Sequence, residues 1–204
     1  MIGDFSWIGI IILIIVLLIS MSVHEFMHAY VGFRLGDTTA QEEGRLSINP
    51  LRHIDPLMTV LLPVVTIVLF QVPILAAKPV PFSPHRLKYD EFGAALLAAA
   101  GPLSNLVLAI IAALLTHTVA AGSFISQVLG LFVILNVGLF VFNFVPIPPL
   151  DGSRVLYAFA PDSIRRVLEM LEPFGFFIII ALVILGGFGD ILVHINEMVL
   201  NLLP

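Results

Sequence analysis

The 204-residue chain contains no cysteine and few charged residues. Without cysteine it forms no disulfide bond, no thiolate metal site and no cysteine nucleophile. Lys, Arg, Asp and Glu together make up 11% of the residues, whereas a soluble domain contains about a quarter. Hydrophobic residues make up 59%, and the mean hydropathy is +1.10. This composition excludes an ordinary soluble domain and predicts a polytopic membrane protein.

Basic residues are absent from the N-terminus and never form a long run. No Lys or Arg precedes the first apolar segment, which does not fit a cleavable signal peptide, so we expect the first helix to be retained. The absence of a basic patch predicts no nucleic-acid partner. The expected partner of most of the surface is the lipid bilayer.

The apolar segments predict an all-α fold with about four to five transmembrane helices. We see no internal repeat and no flexible linker, so we expect a single membrane-embedded domain over residues 1–204. The predicted helices cover about 7–35, 92–116, 124–145, 152–170, 173–187 and 190–203.

Two further segments are less regular. Residues 57–75 are apolar but contain Pro63 and Pro73, so they predict a broken or re-entrant segment, with a full crossing as the alternative. Residues 78–84 contain several prolines and predict a short extended or β region, with a rigid proline loop as the alternative.

The nine Lys and Arg residues fall in three stretches, at 34–52, 78–88 and 154–166. The positive-inside rule places such stretches in the cytosol. All three reach the cytosol if residues 57–75 return to the side on which they enter, whereas a full crossing leaves one stretch outside. The charge distribution therefore favours the re-entrant arrangement.

The sequence HEFMH at residues 24–28 lies within the first apolar helix. Ionisable side chains are costly inside a membrane, so their presence indicates a function. His24 and His28 are one helical turn apart and project from one face, where they can bind one metal ion. Glu25 is then in the position of a general base. The alternative, polar side chains that only pack helices together, fits three ionisable groups in five residues poorly.

Hydrolytic zinc sites have three protein ligands and one open position, so a third ligand is needed. We favour Asp151, which follows a predicted span on the cytosolic side of the preferred topology. The alternative role for Asp151 is the N-cap of the following helix. The other candidates, for which a structural role is the more ordinary one, are His53, His85, His117 and His194.

Three motifs together resemble the site-2 protease family of intramembrane zinc metalloproteases, peptidase family M50. HEFMH fits the His-Glu-x-x-His motif of the family, GPLSN at 101–105 fits its small-residue motif, and NFVPIPPLDG at 143–152 fits its Asn-x-x-Pro…Leu-Asp-Gly motif. The chain looks like the compact prokaryotic members without a PDZ or CBS domain. The resemblance covers a catalytic core of about 8–160 and is weaker in the C-terminal helices at 163–204.

The resemblance implies one Zn²⁺ per chain, with His24, His28 and Asp151 as its ligands and Glu25 as the catalytic base. It also implies that Asn143 and Asn105 contact the substrate or stabilise the oxyanion. The alternative role of both asparagines is hydrogen bonding between helices.

The activity implied by the resemblance is cleavage of transmembrane protein or peptide substrates, through water activated by zinc. The enzyme is expected to be a multi-pass protein of a prokaryotic cell membrane, with its active site toward the cytosol. Residues 78–84 resemble the region of the family that pairs with an extended substrate. The alternative is a membrane protein that binds or transports zinc without proteolysis. Nothing in the sequence indicates an oligomeric state.

Overall fold

A computed structural model describes residues 7–54 and 80–204, apart from the side chains of residues 184 and 185. Short helical turns at Thr39–Glu42, Pro50–Arg52, Pro84–Arg86 and Glu172–Phe174 accompany the longer helices. The described residues contain no strand, which confirms an all-helical protein over that part of the chain. The longer helices are α1 (Trp7–Arg34), α2 (Asp90–Thr116), α3 (Phe124–Asn143), α4 (Asp151–Phe159), α5 (Asp162–Leu171), α6 (Gly175–Leu185) and α7 (Phe188–Leu200).

Helices α1, α2 and α3 are each long and apolar enough to cross a membrane. A bent pair, Asp162–Val183 and Phe188–Leu200, adds a fourth candidate if its two arms, which meet at 86°, form one span. The polytopic character is therefore confirmed, whereas the described residues supply three or four candidate spans against the predicted four to five. The predicted broken segment at 57–75 lies outside the described residues.

The predicted β region near 78–84 is not found in its described part. Residues 80–83 form no strand and lead into the single turn Pro84–Arg86, while residues 78 and 79 lie outside the described residues. Proline donates no backbone N–H to a strand ladder, so Pro81 and Pro84 disfavour a regular strand here.

The predicted helix at 152–170 is divided into α4 and α5. The division falls at Ala160, whose ψ of 145° is extended, and Pro161 follows it. A proline pushes the residue before it out of the helical region, which accounts for the break.

Helix α2 is the centre of the fold and packs against α1, α3 and α4. Ala98, Ala109 and Ala112 are almost completely buried on its contact faces. Small side chains allow membrane helices to approach closely, so α1 and α3 can both lie against α2.

The described basic stretches meet at one end of the helix bundle. The backbone N–H of Lys88 donates to Leu35 O at 2.8 Å, so α2 begins beside the end of α1. The guanidinium of Arg154, which follows α3, lies 4.8 Å from the centre of the Phe82 ring. Helices α1 and α3 therefore both end where α2 begins.

Asp37 joins the two chain segments at this end. It is 2% exposed, its Oδ1 accepts the N–H and O–H of Thr39, and its Oδ2 accepts the N–H of Ser83 at 2.6 Å. Burial alone would raise the pKa of Asp37, but the hydrogen bonds from Thr39 and Ser83 and the charge of Arg86 outweigh burial and lower it. The ionised carboxylate thus links the loop after α1 to the segment before α2.

We expect Asp37→Ala to destabilise the protein by about 1–3 kcal/mol, because the half-buried Ser83 N–H and Thr39 lose their acceptor. The pKa of Asp37 is lowered on folding, so its stabilisation is present above the ordinary value of about 3.9 and is lost as the pH falls below it. Thermal unfolding in detergent at pH 7 and at acid pH measures the difference, which should shrink in acid. The control is Glu42→Ala, which removes an exposed carboxylate from Arg86. Equal unfolding temperatures for wild type and Asp37→Ala at pH 7 would contradict this role.

Candidate metal centre

Three predicted ligands lie together between α1 and α4. His24 and His28 are one turn apart on α1, and their Nε2 atoms are 3.0 Å from each other. Asp151, the first residue of α4, places its Oδ2 atom 3.3 Å from each Nε2. Within the described part of the chain, these side chains form a group that can share one metal ion.

The spacing of the three ligand atoms fits a zinc ion. Tetrahedral zinc lies about 2.0–2.1 Å from imidazole nitrogen and carboxylate oxygen, which separates neighbouring ligand atoms by roughly 3.3–3.4 Å. The three observed separations are 3.0, 3.3 and 3.3 Å. Two imidazoles and one carboxylate are also ligand types that zinc prefers, and three protein ligands leave a fourth position for a reactant.

Hydrogen bonds fix the tautomer of both histidines. Nδ1 of His28 lies 2.8 Å from Leu97 O, and Nδ1 of His24 lies 2.6 Å from Asn105 Oδ1. A carbonyl oxygen only accepts a hydrogen bond, so each Nδ1 carries the hydrogen and donates it. The lone pair of each imidazole is therefore on Nε2, the atom that faces Asp151.

Asp151 does not act as an N-cap. The N-cap position belongs to Leu150, and no side chain caps α4. Its side chain is therefore free to face the two histidines, and a carboxylate binds metal ions in its ionised form.

Two glycines make room for this arrangement. A Cβ atom on Gly101 would collide with Nε2 of His28 and would lie 2.7 Å from Nε2 of His24. A Cβ atom on Gly152 would collide with the backbone of Phe144 at the end of α3. Gly101 thus lets α2 lie directly over the histidines, and Gly152 lets α4 fold back against α3.

Glu25 is buried beside the three ligands, with 7% of its surface exposed. No hydrogen bond or ion pair joins its carboxylate to another residue of the described ranges, so within those ranges it has no structural partner.

The four other histidines do not belong to the metal-binding group of the described residues, and Asn143 bonds within its own helix. Asn143 is the last residue of α3, and its Nδ2 donates to Leu139 O in its own helix at 2.9 Å. His53 is buried and donates from Nε2 to Ser47 O at 2.6 Å. His85, His117 and His194 are exposed and do not join the group.

Asn105 belongs to a buried polar network that also contains Ser20 and Asn136, and all three residues are 0% exposed. Sequence reasoning did not single out Ser20 or Asn136. The available signal was the position of Asn136, a lone amide in the apolar run GLFVILNVGLFVF of α3.

We expect Gly101→Ala to weaken zinc binding by more than about 100-fold, the upper end of the losses for residues around a ligand shell. The added methyl group occupies the space of the two Nε2 atoms, so both ligands must move. Zinc affinity in detergent, measured by competition with a chelator, tests this expectation. The control is Gly130→Ala on α3, where a Cβ atom meets nothing within 4 Å. Wild-type affinity in Gly101→Ala would contradict the close packing of α2 on the ligands.

The amino-acid sequence is similar to those of known proteins. The model of Peptidase family M50 matches residues 116–186, a range that includes Asp151. The zinc metalloprotease candidate YwhC of Bacillus subtilis is 35% identical over 179 residues, covering 83% of this chain and 78% of its own. The zinc metalloprotease candidate Rip2 of Mycolicibacterium smegmatis is 31% identical over 182 residues, covering 88% and 69%.

Rip2 of Mycobacterium tuberculosis, with the same description, is 29% identical over 169 residues, covering 81% of this chain and 63% of its own. No solved structure matches the chain significantly. The first two matches cover more than two thirds of both chains at 31% identity or more, which establishes the family. The spanning helices and the ligand types of the metal centre agree with membership of that family. The chain belongs to the site-2 protease family, peptidase family M50, and is a membrane zinc metalloprotease.

Proposed function

We propose that the protein hydrolyses peptide bonds of transmembrane substrates within the membrane. In this proposal His24, His28 and Asp151 bind one zinc ion per chain, and Glu25 is the general base. The observation that carries it is the convergence of the three ligand atoms, 3.0–3.3 Å apart, beside helices that are apolar enough to span a bilayer.

The position of the histidines along α1 supports cleavage below the membrane surface. At a rise of about 1.5 Å per residue, His24 lies about 25 Å along α1 from Trp7 and about 15 Å from Arg34. The hydrocarbon core of a bilayer is about 30 Å thick. The site is therefore within membrane depth and nearer to the end of α1 where the basic residues gather.

Each group of the site has a distinct task in hydrolysis. A zinc ion bound there supplies Lewis acidity toward the scissile carbonyl and toward water. The carboxylate of Glu25 accepts the proton of the attacking water and later delivers it to the leaving amine nitrogen. Burial of Glu25 limits competing hydrogen bonds from bulk water, so its carboxylate remains available to the reactants.

A transmembrane helix must unwind before hydrolysis, because its peptide carbonyls are hydrogen-bonded within the helix. Phe82 contacts Arg154, which is on the same short helix as Asp151. Residues 80–83 therefore lie next to the helix that carries a proposed ligand.

The two asparagines have different roles in this proposal. Asn143 is half-buried at the end of α3, one loop before Asp151, and is proposed to contact the substrate backbone or the oxyanion. Asn105 is completely buried and its amide is hydrogen-bonded on every side, so it acts on His24 instead of on substrate.

We place the metal centre toward the cytosol of a prokaryotic cell. Arg34, Arg86, Lys88 and Arg154 lie at the end of the bundle where α1 ends, and the positive-inside rule assigns such an end to the cytosol. We further propose that residues 1–204 form one domain, because α7 packs against α3 of the core that carries the site.

We expect Glu25→Gln to bind about one zinc per chain and to lose cleavage of a fluorescent single-span peptide by about 10²–10⁴-fold. The amide preserves the shape of the side chain but accepts no proton. The matched variant Asp151→Asn lies in the ligand set, so it should lose zinc and activity together.

Zinc content and cleavage, measured on the same detergent preparations, separate the possibilities. Full cleavage by zinc-loaded Glu25→Gln would contradict the role of Glu25. A wild-type protein that binds zinc but cleaves no single-span peptide would favour a binding or transport function.

The orientation is testable with single cysteines, because the natural chain has none. Ala121 and Ser163 are both exposed, the first in the α2–α3 connection and the second in α5. We expect a membrane-impermeant maleimide to label Ala121→Cys in intact cells and Ser163→Cys only after permeabilisation. The reverse labelling pattern would invert the proposed topology.

A further inference from the structure

Asn136 is a completely buried amide in the middle of α3, and each of its polar atoms has a partner. Its Nδ2 donates to Phe132 O and to Ser20 Oγ, both at 2.8 Å. Its Oδ1 accepts a hydrogen bond of 2.9 Å from Asn105 Nδ2. An amide buried without such partners is costly, so this set of contacts accounts for its presence in an apolar helix.

The contacts of Asn136 determine which way round the Asn105 amide lies. Asn105 Nδ2 faces two acceptors, Asn136 Oδ1 and Ser20 O at 3.3 Å. A rotated Asn105 would direct its own oxygen at these two oxygens, which is unfavourable because none of them donates. The observed orientation leaves Asn105 Oδ1 directed at Nδ1 of His24.

Asn136 is itself held in one orientation. The backbone oxygen of Phe132 accepts only, so the side of Asn136 that faces it must be the Nδ2 group. A fixed backbone acceptor on α3 therefore orients Asn136, Asn136 orients Asn105 on α2, and Asn105 orients His24 on α1. This series of hydrogen bonds favours the tautomer of His24 that leaves Nε2 free for a metal ion.

We propose that Asn136 is a positioning residue for the metal centre, which acts through Asn105 to hold His24 in its metal-binding tautomer and orientation. The proposal rests on the proposed function only in taking His24 as a zinc ligand. Asn136 makes its hydrogen bonds to Asn105, Ser20 and Phe132 and to neither ligand histidine, so it acts on the metal centre through Asn105.

The test uses the full-length protein in detergent and zinc as the probe. Asn136→Leu keeps the approximate size of the side chain and removes the acceptor that holds Asn105. We expect zinc to bind about 10–100-fold more weakly, as is usual when the partner of a ligand histidine is lost. At saturating zinc, kcat should fall and KM should remain unchanged. The matched control is Gln127→Leu, an amide on the same helix whose Nε2 donates to Gly122 O.

A double variant separates positioning from a general loss of structure. If Asn136 acts through Asn105, then Asn105→Leu and the double variant Asn105→Leu/Asn136→Leu bind zinc with the same affinity, within about twofold. Losses that multiply would overturn the proposal, as would wild-type zinc affinity in Asn136→Leu. Thermal unfolding of the zinc-free proteins shows whether each variant is folded.

If Asn136→Leu does not fold, Asn136→Ala tests the same network, because it also removes the acceptor of Asn105 Nδ2. We expect zinc to bind about 10–100-fold more weakly, and unchanged affinity would overturn the proposal. Zinc affinity is measured without substrate, so this test is independent of peptidase activity. A wild-type protein that binds zinc without cleaving peptides would contradict the proposed function. The zinc affinities of the variants would still test the role of Asn136.

Discussion

A polar side chain inside a membrane needs a partner within the protein, because lipid offers none. This requirement governs the metal centre. Each proposed ligand histidine directs Nε2 toward the shared site and Nδ1 toward an acceptor on α2. Asn105, one of these acceptors, needs partners of its own and finds them on α1 and α3. The hydrogen bonds that satisfy one polar group thus extend through three helices and fix their relative positions.

Close packing is the second condition, and small residues provide it. Gly101 brings α2 against the imidazoles, and the alanines of α2 bring α1 and α3 against the same helix. Gly152 allows α4 to turn back, which directs Asp151 to the histidines on α1. The proposed ligands come from distant parts of the sequence, and glycines allow their side chains to approach within 3.3 Å.

Much of this arrangement could be predicted from the sequence. HEFMH and Asp151 are ionisable residues in an apolar chain, so the sequence indicated them directly. Hydropathy located the long helices. Partners were harder to predict. Which side chain meets Asn105 depends on the rotation of α3, which periodicity does not specify, so Asn136 was missed. The sequence predicted one helix over 152–170, but the extended backbone of Ala160 before Pro161 ends the first of two helices there. The proline-containing residues 80–84 lead into a turn instead of forming the predicted strand.

The central claim is that two imidazoles and one carboxylate bind a single zinc ion within the membrane. X-ray absorption at the zinc edge, on the purified wild-type protein, tests it most directly. The account predicts about one zinc per chain, with two imidazole nitrogens and oxygen ligands at about 2.0–2.1 Å. A folded protein without zinc, or a zinc ion with three or four imidazole ligands, would contradict it.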